Sequence, residues 1–153
     1  MIRTYRYVQH DGNKKVVDVP GKLVLAWNGP FIEPVTITHP RAVQERMEEE
    51  GKQVPAKTVR ALIDTGASFS IIRPGIASEL GLVHTGYQNI TSVQDTQKQP
   101  VYYGTIIFPW GFGIDTSIVT CPLKKFDCLI GRDVLQFLYL TYNGPDGSIV
   151  ICS

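Results

Sequence analysis

The pattern of apolar and polar residues predicts a chain built mainly from short strands. β-Branched and aromatic residues fill the segments TVRALID, GYQNITSVQ, VYYGTIIFPW, GIDTSIVTC and FDCLIG between residues 58 and 131. The apolar run KLVLAW at 22–27, which ends at Asn-Gly-Pro, has the same strand-like character. At the N-terminus, RTYRYVQ and KKVVDVP flank an Asp-Gly turn signal, so residues 3–19 predict a hairpin.

Three segments break this pattern and predict helices, namely RAVQERMEEE (41–50), PGIASELGL (74–82) and GRDVLQFL (131–138). Three glutamates end the first segment, where the helix dipole favours cations, so we expect a short, solvent-exposed helix in an insertion. Many short strands with few helices favour a mainly β barrel or sandwich. Residues 21–153 are expected to form one domain, with residues 1–20 as an N-terminal β-hairpin appendage.

Composition and charge narrow the function classes. The chain has 153 residues, 43% of them hydrophobic, and 15 Lys and Arg against 14 Asp and Glu, so its formal net charge is +1. This balance builds no long-range field for nucleic acid or for an anionic membrane, and neither is expected as a partner. No apolar run approaches the roughly 18–20 residues of a membrane span, and no secretory leader is apparent. We therefore expect an intracellular, cytoplasmic location, although a piece of a longer precursor would look the same.

The three cysteines argue against metal or disulfide chemistry. Cys121, Cys128 and Cys152 are an odd, scattered set without C-x-x-C spacing, and no other cluster has ligand spacing. Small buried apolar residues are the simplest interpretation of these positions. We expect no metal and no cofactor.

The segment ALIDTGAS at 61–68 contains the first candidate for chemistry. An apolar strand delivers Asp64 into a turn, where Gly66 allows a sharp bend that brings backbone N–H groups close to the carboxylate. The alternative is structural, because Asp-x-Gly is also common turn chemistry after a buried strand. On this segment alone, both interpretations stay open.

A second motif, at residues 126–137, narrows the interpretation of the Asp64 segment. FDCLIGRDVLQF places two apolar residues and Gly131 before a helix, 67 residues after Asp64. The two motifs together, in this order, resemble the retropepsin-like aspartic proteases, which include the retroviral proteases. The resemblance implies a single-domain, mainly β acid-protease barrel with one short C-terminal helix, to which this chain adds a helical insertion at 39–53.

The resemblance implies a role for each residue of the two motifs. Asp64 is the expected catalytic aspartate, Thr65 is expected to reach across a dimer axis, and Gly66 is expected to present its amide to the carboxylate. The residues expected to support this turn are Ala67, Leu129, Ile130 and Gly131.

One Asp-Thr-Gly in the chain implies a homodimer. In the nearest second copy, GIDTSI, Ser117 replaces the glycine, so we interpret Asp115 as a turn residue. Two close carboxylates that share a proton supply both the base and the acid for peptide hydrolysis. The resemblance therefore implies an endopeptidase in which Asp64 and its symmetry mate activate water in a C2 homodimer, with extended polypeptides as substrates. The alternatives are a catalytically silent peptide-binding or dimerisation module and a latent monomer within a precursor.

Several positions depart from the family pattern or leave choices open. The expected substrate flap contains Ser92, Val93, Gln94, Asp95, Thr96 and Gln97, and it lacks the glycines of retroviral flaps. Ser68 stands where those enzymes usually have an aspartate that pairs with the helix arginine. Arg132 is therefore left to Asp133, Asp127 or a partner chain. The C-terminal segment GSIVICS at 147–153 is expected to join the dimer sheet.

Overall fold

The computed structural model describes residues 1–7, 9–10, 13, 16–17, 20–91 and 95–153. Within these residues, mainly β structure is observed, as predicted. The strands are β1 (Ile2–Arg6), β2 (Gln9–His10), β3 (Val16–Val17), β4 (Phe31–Thr38), β5 (Ala56–Ile63), β6 (Ile71–Ile72), β7 (Val83–Thr91), β8 (Thr96–Ile107), β9 (Gly113–Thr120), β10 (Cys128–Ile130), β11 (Tyr139–Asn143) and β12 (Ser148–Cys152). The helices are α1 (Gly21–Asn28), α2 (Arg41–Glu49), α3 (Pro74–Leu80) and α4 (Arg132–Leu135).

Six strands close into a barrel. Seven strands form one sheet in the order β4-β5-β10-β6-β9-β8-β7, and a further pairing of β4 with β8 joins the two sides of the first six. The β5–β10 and β6–β9 pairs are parallel, and the other neighbours are antiparallel. A β-bulge lies between Ile32 and Val35, where Pro34 has no amide hydrogen to contribute to the strand pairing.

β8 changes partner at Gly104. Residues 105–107 of this strand pair with β4, whereas residues 96–103 pair with β7. A Cβ at Gly104 would lie 2.9 Å from the carbonyl oxygen of Thr38, so only glycine lets β4 approach here. The β7–β8 hairpin consequently leaves the barrel as an arm.

The core fills the barrel and extends below α3 and the C-terminal strand. Its fully buried side chains include Ile37, Ile72, Ile106 and Ile118 from the barrel strands. Ile76, Ala77 and Leu80 bury one face of α3, and Ile149 and Ile151 bury one face of β12. This continuous cluster fixes the strands that carry the candidate site.

The N-terminal segment is only partly the predicted hairpin. Gln9–His10 pairs with Val16–Val17, but Ile2–Arg6 pairs with β12 in a separate three-stranded sheet of order β1-β12-β11. The Tyr7 hydroxyl donates to the Phe31 carbonyl at 2.8 Å, and burial raises the pKa of this hydroxyl. These contacts attach residues 2–7 to the rest of the molecule. The division of the chain near residue 20 stays a prediction.

The C-terminal strand also differs from expectation. GSIVICS was expected to join a dimer sheet, but β12 already has a neighbour on each side, because β1 and β11 both pair along its length. An internal strand has no free edge to offer another chain. β12 therefore does not itself present an edge to a second chain, and among the described residues the outer strands of this sheet are β1 and β11. That 147–153 joins a dimer sheet stays a prediction.

KLVLAW forms a helix rather than a strand. Pro20 precedes α1, and its carbonyl accepts the amides of Leu23 and Val24. Gly29, with φ of 76°, ends the helix and donates to the Leu25 carbonyl at 3.0 Å. The prediction failed because a short apolar run does not distinguish a buried strand from a buried helical turn.

The predicted insertion helix is present as α2, and Asp115 anchors it. None of its side chains is buried, in agreement with the predicted exposed helix. The Arg41 amide at its first turn donates to both carboxylate oxygens of Asp115, at 3.3 and 3.2 Å. Asp115 lies within β9, opposite Thr105, so its interpretation as a turn residue is wrong. It caps a helix whose preceding residue, Pro40, has no side-chain acceptor.

No helix in the described part of the chain is both long enough and apolar enough to cross a bilayer.

Truncation of Leu25 tests whether α1 belongs to the core. Leu25 is 1% exposed, so Leu25→Ala is expected to lower the free energy of unfolding by about 2–5 kcal/mol through lost burial and a cavity. Trp27 in the same helix is 66% exposed, and Trp27→Ala is expected to change it by about 0.5 kcal/mol or less. Denaturant unfolding measures both. Equal effects of the two substitutions would contradict this placement of α1.

Candidate active site

Asp64 lies where β5 leaves the barrel core. Val59, Ala61 and Ile63 are buried along this strand, which fixes the direction in which the chain emerges. The Asp64 amide donates to the Ile130 carbonyl at 3.0 Å and so extends the β5–β10 pairing by one residue. The backbone of Asp64 is therefore positioned by the core rather than by the loop.

The loop then turns back on the carboxylate. The Gly66 amide donates to Oδ1 of Asp64 at 2.8 Å, and the Ala67 amide donates to the Asp64 carbonyl at 3.2 Å. A Cβ at Gly66 would lie 3.1 Å from Oδ1, closer than most side chains tolerate. The hydrogen bond from the Gly66 amide fixes the orientation of the carboxylate.

β10 supports this turn from behind. It pairs in parallel with β5, so that Leu129 lies opposite Leu62 and Ile130 opposite Ile63. Gly131 follows, and a Cβ there would lie 2.6 Å from the carbonyl carbon and oxygen of Phe69. Glycine is needed at this position because backbone from the Asp64 loop occupies the space of a side chain.

Ser70 and Asp133 link the same two segments by hydrogen bonds. The Ser70 amide and hydroxyl donate to the two carboxylate oxygens of Asp133, at 2.9 and 2.8 Å. The Gly131 amide donates to the Ser70 hydroxyl oxygen at 3.0 Å. Asp133 therefore binds Ser70 of the loop. It does not pair with Arg132, for which it was one of the predicted partners.

Arg132 holds the outer side of the loop. Its guanidinium donates to the Thr65 carbonyl at 2.8 Å and to the Ser68 hydroxyl at 2.9 Å, and its amide donates to the Ala67 carbonyl at 2.9 Å. Asp127 pairs with Arg73 instead, at 3.4 Å. The two intrachain carboxylate partners suggested for Arg132 are therefore wrong, because Ser68 and the loop backbone satisfy the guanidinium.

An open cleft of about 490 Å³ lies in front of the Asp64 carboxylate. Its walls come from the Asp64 loop, the start of β6, one residue of β10 and the end of β7: Asp64, Gly66, Ala67, Ser68, Phe69, Ile71, Leu129, Asn89, Ile90 and Thr91. Phe69, Ile71, Leu129 and Ile90 are its large apolar lining residues, and Asn89, Ile90 and Thr91 come from the β7–β8 arm.

The predicted flap corresponds only in part to the arm. Ser92, Val93 and Gln94 lie outside the described residues. Asp95 precedes the return strand β8, which begins with Thr96 and Gln97, and none of the three lines the cleft. The arm reaches the cleft through the last residues of β7 instead.

Sequence reasoning missed the cleft residues Phe69, Ile71, Asn89, Ile90 and Thr91. The signal was present in part, because Phe69 and Ile71 alternate with the buried Ser70 just after the motif. For β7 the signal is weaker, since the side chains that face the cleft depend on how the arm folds over it. Strand register cannot be read from one strand alone.

Thr65 faces a different surface from the cleft. Together with Arg132, Leu135, Gln136, Leu138 and Leu140 it lines a second groove of about 390 Å³. The loop therefore has two sides: Asp64 opens to the cleft, and Thr65 opens to this groove. That Thr65 contacts a second chain across a dimer axis stays a prediction.

Other reactive groups near the site do not compete with Asp64. Cys128 is fully buried in β10, and burial raises the pKa of its thiol, so it is not a nucleophile at neutral pH. Among the residues that the structure describes, no three His, Cys, Asp or Glu side chains lie together as metal ligands would. The chemistry available in the cleft is that of one oriented carboxylate.

Comparison with known proteins supports the resemblance for the part of the chain that carries Asp64. Residues 50–106 match the family model described as aspartyl protease. This segment includes the Asp64 loop and most of the β7–β8 arm. No curated protein matches the sequence.

Three solved structures are similar to the chain. The first is a foamy viral protease-reverse transcriptase in complex with an RNA/DNA hybrid, with 21% identity and a TM-score of 0.44. The second is EIAV protease complexed with the inhibitor HBY-793, with 23% identity and a TM-score of 0.43. The third is the simian foamy virus (mac) protease, with 14% identity and a TM-score of 0.43. The matches cover 52%, 52% and 69% of this chain, respectively. They cover 10%, 76% and 93% of those chains, so the first relative is far longer than the matched region.

Because Gly131 packs closely on the Phe69 backbone, adding a single methyl group at Gly131 is expected to destabilise the fold. Gly131→Ala is expected to lower the free energy of unfolding by about 1–3 kcal/mol or more, because the loop backbone at Phe69 must move. Gly75 in α3 is the control, since no atom lies within 4 Å of a Cβ built there. Gly75→Ala is expected to stabilise by about 0.4–1 kcal/mol. Thermal and denaturant unfolding of both variants measure the difference, and a neutral Gly131→Ala would contradict the packing described.

Proposed function

We propose that the chain is an aspartic endopeptidase whose active form is a homodimer. The observation that carries this proposal is the Asp64 carboxylate, which faces an open cleft at the end of a buried strand and accepts the Gly66 amide at 2.8 Å. The match of residues 50–106 to the aspartyl protease family supports the same conclusion. The structural neighbours include proteases, and we take a protease function from them as part of this proposal.

One carboxylate is not sufficient for the reaction. Hydrolysis without a covalent intermediate needs a base that takes a proton from water and an acid that protonates the carbonyl oxygen. The described residues place no second carboxylate on the cleft. We infer that Asp64 of a second copy supplies it, in a two-fold symmetric pair that shares one proton.

The reaction then proceeds in two proton-balanced steps. The ionised Asp64 accepts a proton from the water, whose oxygen attacks the scissile carbonyl carbon, while the protonated Asp64 of the other copy donates to the carbonyl oxygen. In the second step, the first Asp64 donates its proton to the amide nitrogen and the other takes one back from the geminal diol. The C–N bond breaks, and the products are a carboxylic acid and an amine.

The cleft favours an extended polypeptide as the substrate. β7 is the outer strand of the seven-stranded sheet, and its last residues, Asn89 to Thr91, line the cleft opposite the Asp64 loop. A free strand edge can pair with an extended backbone, which gives affinity without sequence preference. Phe69, Ile71 and Ile90 offer apolar contacts to the side chains on either side of the bond.

The competing function is a catalytically silent module that binds peptides. The cleft and the arm would serve such a module equally well, and the hydrogen bond from the Gly66 amide to the Asp64 carboxylate is also ordinary turn chemistry. Cleavage assays distinguish the two.

Substitution of Asp64 is the decisive test. Asp64→Asn is expected to reduce cleavage of an unbiased peptide library by about 10²–10⁴-fold or more, because the amide can neither accept the proton from water nor share one. Asp115→Asn is the control, since Asp115 also precedes a threonine but lies in β9, where it caps α2 outside the cleft. The dimer is expected to persist in both variants. Wild-type dimer that cleaves no peptide would favour the binding module.

The shared proton predicts a bell-shaped dependence of kcat/KM on pH. The pair is active only when it holds one proton, so the rate falls on both sides of the maximum. Ala67 supplies no hydroxyl that would stabilise the ionised pair, so the maximum is expected at mildly acidic to near-neutral pH. Initial rates over the full pH range give the profile. A maximum below about pH 3 would contradict this expectation.

A further inference from the structure

A serine hydroxyl on the wall of the cleft is bound to a guanidinium. Ser68 lines the cleft, and its Oγ accepts a hydrogen bond from Arg132 at 2.9 Å. We propose that this hydroxyl donates its hydrogen to a carboxylate side chain of the substrate, so that the protein selects peptides with Asp or Glu close to the cleaved bond. This inference rests on the proposed function, because it names the substrate class of the same cleft.

The first argument is the direction of the hydrogen bond between Arg132 and Ser68. A guanidinium carries only donors, so the Ser68 oxygen must be the acceptor. The hydroxyl hydrogen is left for a further acceptor, and no residue that the structure describes accepts it. A hydroxyl that accepts from a cation becomes a stronger donor, because each hydrogen bond polarises the next. Ser68 therefore presents a strong donor to a peptide in the cleft.

The second argument is that Arg132 is held in place without an acidic partner. Its guanidinium also donates to the Thr65 carbonyl at 2.8 Å, so the loop fixes two of its nitrogens. None of the ion pairs between described side chains includes Arg132. The neighbouring Asp133 carboxylate accepts from Ser70 and from the Val134 amide instead. The positive charge of Arg132 is therefore available to an anion that binds Ser68.

The third argument is the charge of the cleft itself. Asp64 is the one charged side chain among the described residues that line it. In the proposed dimer the two Asp64 carboxylates share a proton and hold one negative charge between them, whereas the two Arg132 guanidinium groups hold two positive charges. A backbone carbonyl of the substrate would satisfy the Ser68 hydroxyl, but a carboxylate would also gain from the charge of Arg132. An acidic side chain is therefore the acceptor that suits this position best.

The symmetry of the proposed dimer gives this preference a recognisable form. A two-fold axis between the Asp64 carboxylates places one Ser68 on each side of the scissile bond. An acidic residue is therefore expected to favour cleavage from a position on the N-terminal side of the bond and also from a position on the C-terminal side.

Cleavage of matched peptides measures the preference. A peptide that the wild type cleaves in the unbiased library is made again with Glu or with Gln at each position around the bond in turn, because these two side chains have the same shape. On each side of the bond, the best Glu peptide is expected to exceed its Gln counterpart in kcat/KM by about threefold or more. The difference is expected mainly in KM, since the bond to Ser68 forms already in the bound substrate. Equal values for Glu and Gln at every position, or a preference for Gln, would overturn the proposal.

Two hydroxyl residues of the cleft provide matched variants. Ser68→Ala removes the proposed donor, so the ratio of kcat/KM for the Glu peptide over the Gln peptide is expected to fall to about one. Thr91→Val is the control, because Thr91 also lines the cleft but shares its hydrogen bond with the Thr96 hydroxyl, at 3.0 Å, rather than with an arginine. It is expected to keep the wild-type ratio. A ratio that persists in Ser68→Ala, or that falls as much in Thr91→Val, would overturn the proposal.

The pH dependence of the same ratio tests the proposal on the wild type alone, should Ser68→Ala not fold. The Glu side chain of the peptide loses its charge as the pH falls through about 4.3, whereas Gln does not titrate. The ratio, measured with both peptides competing in one reaction, is therefore expected to fall toward one over this range. A ratio that stays constant there would show that the charge of the peptide is not what Ser68 recognises.

A wild type that cleaves no peptide would refute the protease function without deciding the role of Ser68. The same library is then passed over the immobilised wild type, and the bound peptides are sequenced. Enrichment of Asp and Glu over Asn and Gln, lost in Ser68→Ala, would support the carboxylate site in a peptide-binding module. No enrichment would overturn this proposal as well.

Discussion

The parallel pairing of β5 with β10 is the constraint on which the candidate site depends. It ends in the hydrogen bond from the Asp64 amide to the Ile130 carbonyl, and immediately beyond it Gly131 packs on the backbone of Phe69. Two strands separated by more than sixty residues of chain thus hold both ends of one small loop. Parallel pairs need a long crossover connection, and here that crossover contains β6, α3, the arm and β9. The loop is therefore as rigid as the core under it.

The side chains of Asp133, Arg132 and Asp64 have different hydrogen-bonding roles around the loop. Asp133 is fully occupied by Ser70 and the local backbone, and Arg132 is occupied by Thr65 and Ser68. Asp64, by contrast, accepts one loop amide and leaves its remaining acceptor capacity toward the cleft. The Asp133 carboxylate thus holds the loop in place, whereas the Asp64 carboxylate faces the cleft.

The sequence was informative where one residue type is physically required. Gly66 was recognisable because a sharp turn beside a carboxylate favours glycine. Gly131 was predicted only through the resemblance, and the structure supplies the physical reason, since a Cβ there would lie 2.6 Å from the Phe69 backbone. Sequence reasoning failed where the outcome depends on distant contacts. α1 was mistaken for a strand because its apolar run is short, and Asp115 was mistaken for a turn residue because the helix that it caps is 74 residues away in the chain. The cleft residues of β7 were missed for the same reason, since only the folded arm shows which of them face Asp64.

Because β8 changes partner at Gly104, the arm buries less side-chain surface than the barrel. Residues 105–107 have β9 on one side and β4 on the other, and Thr105 and Ile106 are buried. Beyond the change, most side chains of Val83 to Thr91 are exposed, so hydrogen bonds to β8 rather than burial hold that strand. Segments with little buried apolar surface open at a lower free-energy cost than the core. The cleft is therefore lined both by segments fixed in the core through β5 and β10 and by the end of β7, which opens at a lower free-energy cost.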